Sequence, residues 1–102
     1  MTTIIGPIDQ AEAKPVYFLF AGEVGGVNIS SASITATLLE GTDANPGGIL
    51  LGTVTIDNAQ KIVSQKVAAP GRSGCRYKLR CTATDSAGNV HVVAAQLAVV
   101  TL

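Results

Sequence analysis

The sequence predicts a single all-β domain, a sandwich of about seven antiparallel strands. Of the 102 residues, 47% are hydrophobic and only 14% are charged, a balance that supplies one buried core and argues against disorder. Thr and Val recur while Glu and Lys are scarce, which favours strands over helices. Short apolar segments, separated by turn-forming residues, recur at intervals of about 10–15 residues, as in a sandwich.

The individual strands follow from alternation and from the turns between them. Residues 31–38 alternate Ala, Ile and Leu with Ser and Thr, the period of two expected for a half-buried strand. Residues 1–15 contain Pro7 and Pro15, which discourage helix, and are predicted to form an extended N-terminal arm before a domain of residues 16–102. The remaining predicted strands span residues 16–20, 49–56, 61–68, 75–83 and 90–100.

The strand at residues 75–83 has one apolar and one cationic face. Its odd positions place Cys75, Tyr77, Leu79, Cys81 and Ala83 on the predicted core side, and its even positions are Arg76, Lys78, Arg80 and Thr82. The cationic face has two interpretations: a solvated face that resists aggregation, or a surface that meets acidic groups of a partner. It has no interleaved aromatic residues to stack on bases, which favours a protein over single-stranded nucleic acid.

The last predicted strand, residues 90–100, is apolar at both odd and even positions. Either a small domain tolerates Ala and Val there, or one face or edge of the strand contacts another subunit. Together with the N-terminal arm and the cationic face, it supplies the candidate interface residues Ile4, Ile5, Ile8, Arg76, Lys78, Arg80, Val93, Leu97 and Val99.

The formal net charge is zero, which argues against general affinity for nucleic acid or anionic membranes. Residues 1–60 nevertheless hold six acids and one lysine, a balance of −5, and residues 61–102 hold six bases and one acid, a balance of +5. Either folding brings the halves together and the charges cancel, or the surface is polarised and guides copies or partners together.

No motif points to catalysis, a cofactor or a metal. His91 is the only histidine and is predicted as a surface or edge residue rather than a base, with no nucleophile placed beside it by a motif. Cys75 and Cys81 would lie about 20 Å apart on one strand, too far for a disulfide, so both are expected as buried free thiols. Four aspartates in turn contexts are expected to form turns, namely Asp9, Asp43, Asp57 and Asp85.

The C-terminal third resembles a known fold. The pattern Tyr77-x-Leu79-x-Cys81-x-Ala83-x-Asp85-x-x-Gly88-Asn89 is similar to the penultimate strand and final hairpin of fibronectin type III and bacterial immunoglobulin-like modules. The resemblance implies an immunoglobulin-like sandwich in which Tyr77 is a corner residue and the other odd-numbered residues of its strand belong to the core. It carries no implication about activity.

A second resemblance covers most of the chain. The segments Gly6-Pro7-Ile8-Asp9, Lys14-Pro15-Val16-Tyr17-Phe18-Leu19-Phe20 and Ile29-Ser30-Ser31-Ala32-Ser33-Ile34-Thr35, followed by the final hairpin, resemble short virion proteins of tailed bacteriophages of the fibre–tail adaptor or neck accessory type. The resemblance implies a non-enzymatic structural protein of the head–tail region, present in several copies. Its implied partners are portal, connector, tail or fibre subunits.

Two other functions stay open from the sequence. One is a capsid decoration protein, and the other is a bacterial surface or carbohydrate-binding module. The start of the chain lacks the pattern of a secretion signal, no apolar run approaches the length of a membrane span, and few aromatics are available to stack on sugars. The expected location is therefore the virion, after synthesis in the host cytoplasm.

Overall fold

The computed structural model describes residues 2–4 and 7–101, with the side chains of residues 2–4 and 23 left out. Eight strands, one helical turn and one 3-10 turn follow one another along the chain. They are β1 (Thr2–Ile4), β2 (Ile8–Asp9), β3 (Ala13–Leu19), α1 (Ala21–Val24), β4 (Ile29–Glu40), the 3-10 turn (Pro46–Ile49), β5 (Leu50–Asp57), β6 (Ile62–Ala68), β7 (Arg76–Asp85) and β8 (Val90–Val100).

The strands form two sheets, so the predicted all-β sandwich is confirmed. One sheet has the order β1-β8-β7-β4, with β2 also pairing with β8, and the other has the order β3-β6-β5. The six long strands pair antiparallel. The two short strands β1 and β2 instead run parallel to β8, which differs from the predicted all-antiparallel arrangement.

The core lies between the sheets and follows the alternation of the sequence. In β7 the odd residues Tyr77, Leu79, Cys81 and Ala83 are fully buried, as predicted. Phe18 of β3 and Val63 and Val67 of β6 bury side chains from the other sheet. At about 25 cal/mol per Å² of apolar surface, this shared core is the main source of stability.

One turn of helix forms where the sequence predicted only a turn. The N–H of Val24 donates to the carbonyl of Phe20 at 2.9 Å, and both side chains are buried in the core. The helical turn of α1 therefore brings a second apolar side chain back to the core after β3. Local composition does not predict this helical turn, because three glycines lie in or beside it.

The predicted N-terminal arm is only partly separate from the sandwich. Segments β1 and β2 pair with the chain's own β8, through Thr2 beside Ala94 and Ile8 beside Val99. A turn stabilised by Asp9 and Glu12 then leads into β3, which begins at Ala13. The predicted boundary at residue 15 therefore lies inside a strand.

Candidate contact surface

The hairpin between β7 and β8 fixes the geometry of the cationic face. Asp85 ends β7, and its carboxylate accepts the backbone N–H groups of Ala87 and Asn89 at 2.9 Å each. Gly88 has a φ of +89°, a conformation that favours glycine. This turn holds β8 in a continuous antiparallel register with β7 from Thr84 beside Val90 to Arg76 beside Ala98.

Arg76, Lys78 and Arg80 project from the outer face of the four-stranded sheet, where all three are exposed. Lys78 lies between Thr37 of β4 and Gln96 of β8, and Arg80 lies between Thr35 and Ala94. Their neighbours are short, so the long cationic side chains stand above a low surface of hydroxyl, amide and methyl groups. We call this surface the cationic face; it comprises the outward residues of β4, β7 and β8.

Among the described residues, only one cation of the cationic face has an acidic partner. Arg76 Nη1 lies 3.2 Å from Glu40 Oε1, in a pair whose side chains are 46% and 62% exposed, so this pair contributes little to stability. Lys78 and Arg80 make no ion pair within the described part of the chain. They stand on one strand about 7 Å apart along the backbone, and their repulsion is left uncompensated.

Four of the predicted interface residues are buried in the chain's own core. The side chains of Ile8, Val93, Leu97 and Val99 are between 0% and 9% exposed, so they are not available to a partner, and this part of the interface prediction is wrong. The odd positions of β8 face the other sheet, as those of β7 do. Its even positions are exposed at Val90 and Val92 and become buried or half-buried from Ala94 onward, where β1 and β2 pair with the strand.

The edge of β8 is likewise occupied, because β1 and β2 of the same chain pair along it. The backbone of Ile4 lies beside Gln96 in this pairing; its side chain and the whole of Ile5 are outside the described residues. Of the nine predicted interface residues, Arg76, Lys78 and Arg80 are the ones that the structure brings together on one exposed face.

A polar cluster at the start of β7 was not predicted from the sequence. The carboxylate of Asp43 accepts the Tyr77 hydroxyl at 2.6 Å, the Arg72 Nε at 2.7 Å and the Asn45 N–H at 2.8 Å. The Tyr77 hydroxyl and then the Asn45 N–H are the main causes that lower the pKa of Asp43, with Arg72 adding to them. Burial, together with this hydrogen bond, raises the pKa of Tyr77. No local pattern reveals a cluster whose members are about thirty residues apart.

A second polar cluster lies at the end of β7. His91 Nε2 is 2.9 Å from Asp85 Oδ2, and the side chains are 18% and 3% exposed. The hydrogen bond from His91 is the largest cause that lowers the pKa of Asp85, followed among the lowering causes by the two turn N–H groups. His91 is therefore half-buried against Asp85, and the predicted role of Asp85 in the turn is confirmed.

The charges of the two halves of the sequence partly cancel on folding. Arg72 pairs with Asp43 and Arg76 pairs with Glu40, and each of these pairs joins the acidic half to the basic half. Glu12 is paired with Lys14 within the acidic half. Of the cations that form no ion pair among the described residues, Lys78 and Arg80 lie together on the cationic face, whereas Lys66 lies on the three-stranded sheet.

Both cysteines are free and buried, as predicted. Burial raises the pKa of the Cys81 thiol to about 12, and the thiol, unlike the thiolate, is a poor nucleophile. Cys75 packs against the turn at Gly41, where an added Cβ would come within 2.8 Å of its sulfur. Both thiols therefore act as small apolar core groups.

The structure offers no metal cluster or membrane helix in its described part. No group of three or more His, Cys, Asp or Glu side chains is placed to hold a metal ion among the described residues. None of the described helices is both long and apolar enough to cross a bilayer.

Comparison with protein-family models and with curated proteins finds no match to this sequence.

Proposed function

We propose that this protein is a non-enzymatic structural module that binds an acidic protein surface through its cationic face. The observation that carries this proposal is the exposed pair Lys78 and Arg80, which has no acidic partner among the described residues. Two exposed cations about 7 Å apart on one strand repel each other weakly in water, and a partner that supplies carboxylates provides the opposite charges to both of them.

The form of the cationic face favours a broad protein partner over a small ligand. Its floor is a regular sheet surface of Thr, Gln and Ala side chains at register positions beside Lys78 and Arg80. Exposed hydroxyls on such a floor can donate to or accept from the main chain and side chains of a partner. Charge complementarity of this kind sets the orientation and the association rate of a complex.

We further propose that the sandwich is immunoglobulin-like. With β3 to β8 taken as successive strands of such a fold, β3, β6 and β5 correspond to its B, E and D strands, and β4, β7 and β8 to C, F and G. The N-terminal strands then pair with the last strand, beside the hairpin that resembles immunoglobulin-like modules.

The polar groups inside the sandwich support a structural role. Asp43 bonds to Tyr77 and Arg72, and Asp85 bonds to His91 and its own turn. Every fully buried side-chain nitrogen and oxygen among the described residues has a hydrogen-bond partner. The carboxylates of Asp43 and Asp85 thus each hold one end of β7 in place. This role stabilises the fold and requires no substrate.

The resemblance of the sequence to short phage virion proteins indicates the kind of assembly in which this contact would be made. On that basis we propose that the protein joins subunits in the neck of a tailed-phage particle, as a connector or fibre–tail adaptor. The cationic face would meet an acidic surface on a portal, connector, tail or fibre subunit.

A salt titration tests the chemistry of the cationic face. The probe is poly-L-glutamate, with duplex DNA of similar charge density as the comparison, and binding of the full chain is measured calorimetrically at rising salt. We expect binding to poly-L-glutamate that weakens steeply as salt screens the charges. Absence of binding at low salt, or a clear preference for DNA, would contradict an acidic protein as the partner.

A further inference from the structure

The two sheets have four edges, and three of them are protected. β1 and β2 pair along the C-terminal part of the edge at β8, from Ala94 to Val100. β3 carries Lys14 and Pro15, and proline and lysine both discourage the pairing of an edge strand. β5 is interrupted at Gly52, which has a φ of +69° and lies where the register breaks between Leu51 and Thr55.

The fourth edge, at β4, has none of these protections over most of its length. At its start the side-chain amide of Asn58 bonds both the N–H and the carbonyl of Ile29, at 2.7 and 3.1 Å. After that point residues 31–38 stay in regular register with β7. This segment contains no proline, glycine or charged residue, and no other described strand pairs with its outer side.

We propose that β4 is a homodimer interface, at which residues 31–38 of one copy pair antiparallel with the same residues of a second copy about a two-fold axis. Paired strands satisfy the row of backbone N–H and C=O groups that an edge strand exposes. The result is one continuous eight-stranded sheet, counting four strands of the principal path from each copy.

The segment is complementary to itself on both faces. A two-fold axis at one residue places outward Ser and Thr side chains opposite Ser and Thr, and inward apolar side chains opposite apolar ones. Ala36 and Leu38, which are only half-buried in one chain, gain cover from the second copy. Because residues 31–38 are uncharged, the pairing brings no like charges directly opposite each other.

Charge repulsion between the cationic faces of the two copies does not oppose this pairing. Arg80 lies on β7, one strand inside β4. The β7 strands of the two copies are therefore separated by three strand spacings, about 14 Å. That exceeds the screening length of about 8 Å at physiological salt. This self-association is independent of the proposed acidic partner, and it leaves both cationic faces exposed on the same side of the joined sheet.

The test is sedimentation equilibrium of the full chain over a wide range of concentrations. We expect the average mass to rise from one chain to two. The double variant Ser33→Glu/Thr35→Glu places carboxylates opposite carboxylates across the axis and should weaken the dimer about tenfold or more. Within one chain it remains compatible with the fold, since Thr35 lies beside Arg80.

The matched control is Thr53→Glu/Thr55→Glu, which adds the same charge at exposed positions of edge strand β5. It should dimerise like the original chain, and so should Lys78→Glu, whose effect is confined to the cationic face. Circular dichroism checks that each variant is folded. Amide hydrogen exchange should show residues 31–38 protected at high concentration and faster on dilution.

A single-chain mass at every concentration would overturn the proposal. So would equal weakening by the β4 and β5 variants, or association that the β4 variant leaves unchanged. The two proposals can fail separately. Dimerisation without binding to poly-L-glutamate would contradict only the proposed function, and binding to poly-L-glutamate by a chain that stays single would contradict only the proposed dimer.

Discussion

The two outer faces of the sandwich differ in chemistry although the same alternation builds them. The four-stranded sheet presents Lys78 and Arg80 above short hydroxyl side chains. The three-stranded sheet presents Tyr17 and Leu19, which are 58% and 67% exposed, and Leu51 at its far edge. The inward positions of both sheets are constrained by the core, so the outward positions are where the two sheets can differ in function.

The largest expected effect contrasts neighbouring residues of β3. Phe18 is 2% exposed and Leu19 is 67% exposed. We expect Phe18→Ala to lower the free energy of unfolding by about 3–5 kcal/mol, and Leu19→Ala to change it by less than about 0.5 kcal/mol. Urea unfolding measures both, and an equal or larger loss in Leu19→Ala than in Phe18→Ala would contradict the assigned faces of β3.

Acid should weaken the four-stranded sheet through the two ends of β7. The pKa values of Asp43 and Asp85 are lowered in the folded chain, so the unfolded chain binds protons more readily. Their stabilising contribution is complete above the unfolded pKa of about 4 and is lost as pH falls through the lower folded values. Asp43→Asn and Asp85→Asn should therefore be less stable than the original chain at pH 7, with a smaller difference at pH 3.

The check for acid sensitivity is the urea midpoint of each variant at both pH values. Asp57→Asn serves as the comparison, because Asp57 sits in an exposed turn of the other sheet and its carboxylate accepts only the nearby N–H groups of Ala59 and Gln60. A stability difference that stays constant between pH 7 and pH 3 for Asp43→Asn and Asp85→Asn would contradict the linkage.

A matched pair of lysines tests the binding difference between the faces. Lys78 belongs to the cationic face and Lys66 to the outer face of the three-stranded sheet, and both are exposed. We expect Lys78→Glu to weaken binding to poly-L-glutamate about tenfold, or 1.4 kcal/mol, and Lys66→Glu to weaken it much less. Equal losses would mean that binding follows net charge rather than the cationic face.

The smallest effect is expected at the edge of the cationic face. The pair between Arg76 and Glu40 is largely exposed, so Glu40→Ala should change the free energy of unfolding by less than about 0.5 kcal/mol. The same change frees Arg76 and should strengthen binding to poly-L-glutamate slightly. Weaker binding by the Glu40→Ala variant would show that Arg76 needs Glu40 to be held in place.

The comparison of β7 with β8 shows what the sequence can predict. In β7 the alternation of apolar and charged residues reveals both the strand and its outward face, because one face is solvated. In β8 both parities are apolar, and the sequence alone assigned Leu97 and Val99 to an interface. The structure places them in the core, because the even positions are partly covered along the stretch where β1 and β2 pair.

The cluster at Asp43 is an example of what local sequence patterns cannot predict. Asp43 forms a turn with Asn45, as expected. Its bonds to Arg72 and Tyr77 depend on how the loop crosses between the sheets. Only the tertiary fold determines that crossing, so the six long strands could be predicted from the sequence while the pairing of β1 and β2 and both polar clusters could not.

The most direct test of the proposed function is quantitative mass spectrometry of purified particles from cells that carry this gene. The proposal predicts that the protein is present at a fixed ratio to the portal subunit. It also predicts that Lys78→Glu/Arg80→Glu is strongly depleted from particles, whereas Lys66→Glu is incorporated normally. Absence of the protein from particles, or equal incorporation of these variants, would contradict a virion contact made through the cationic face.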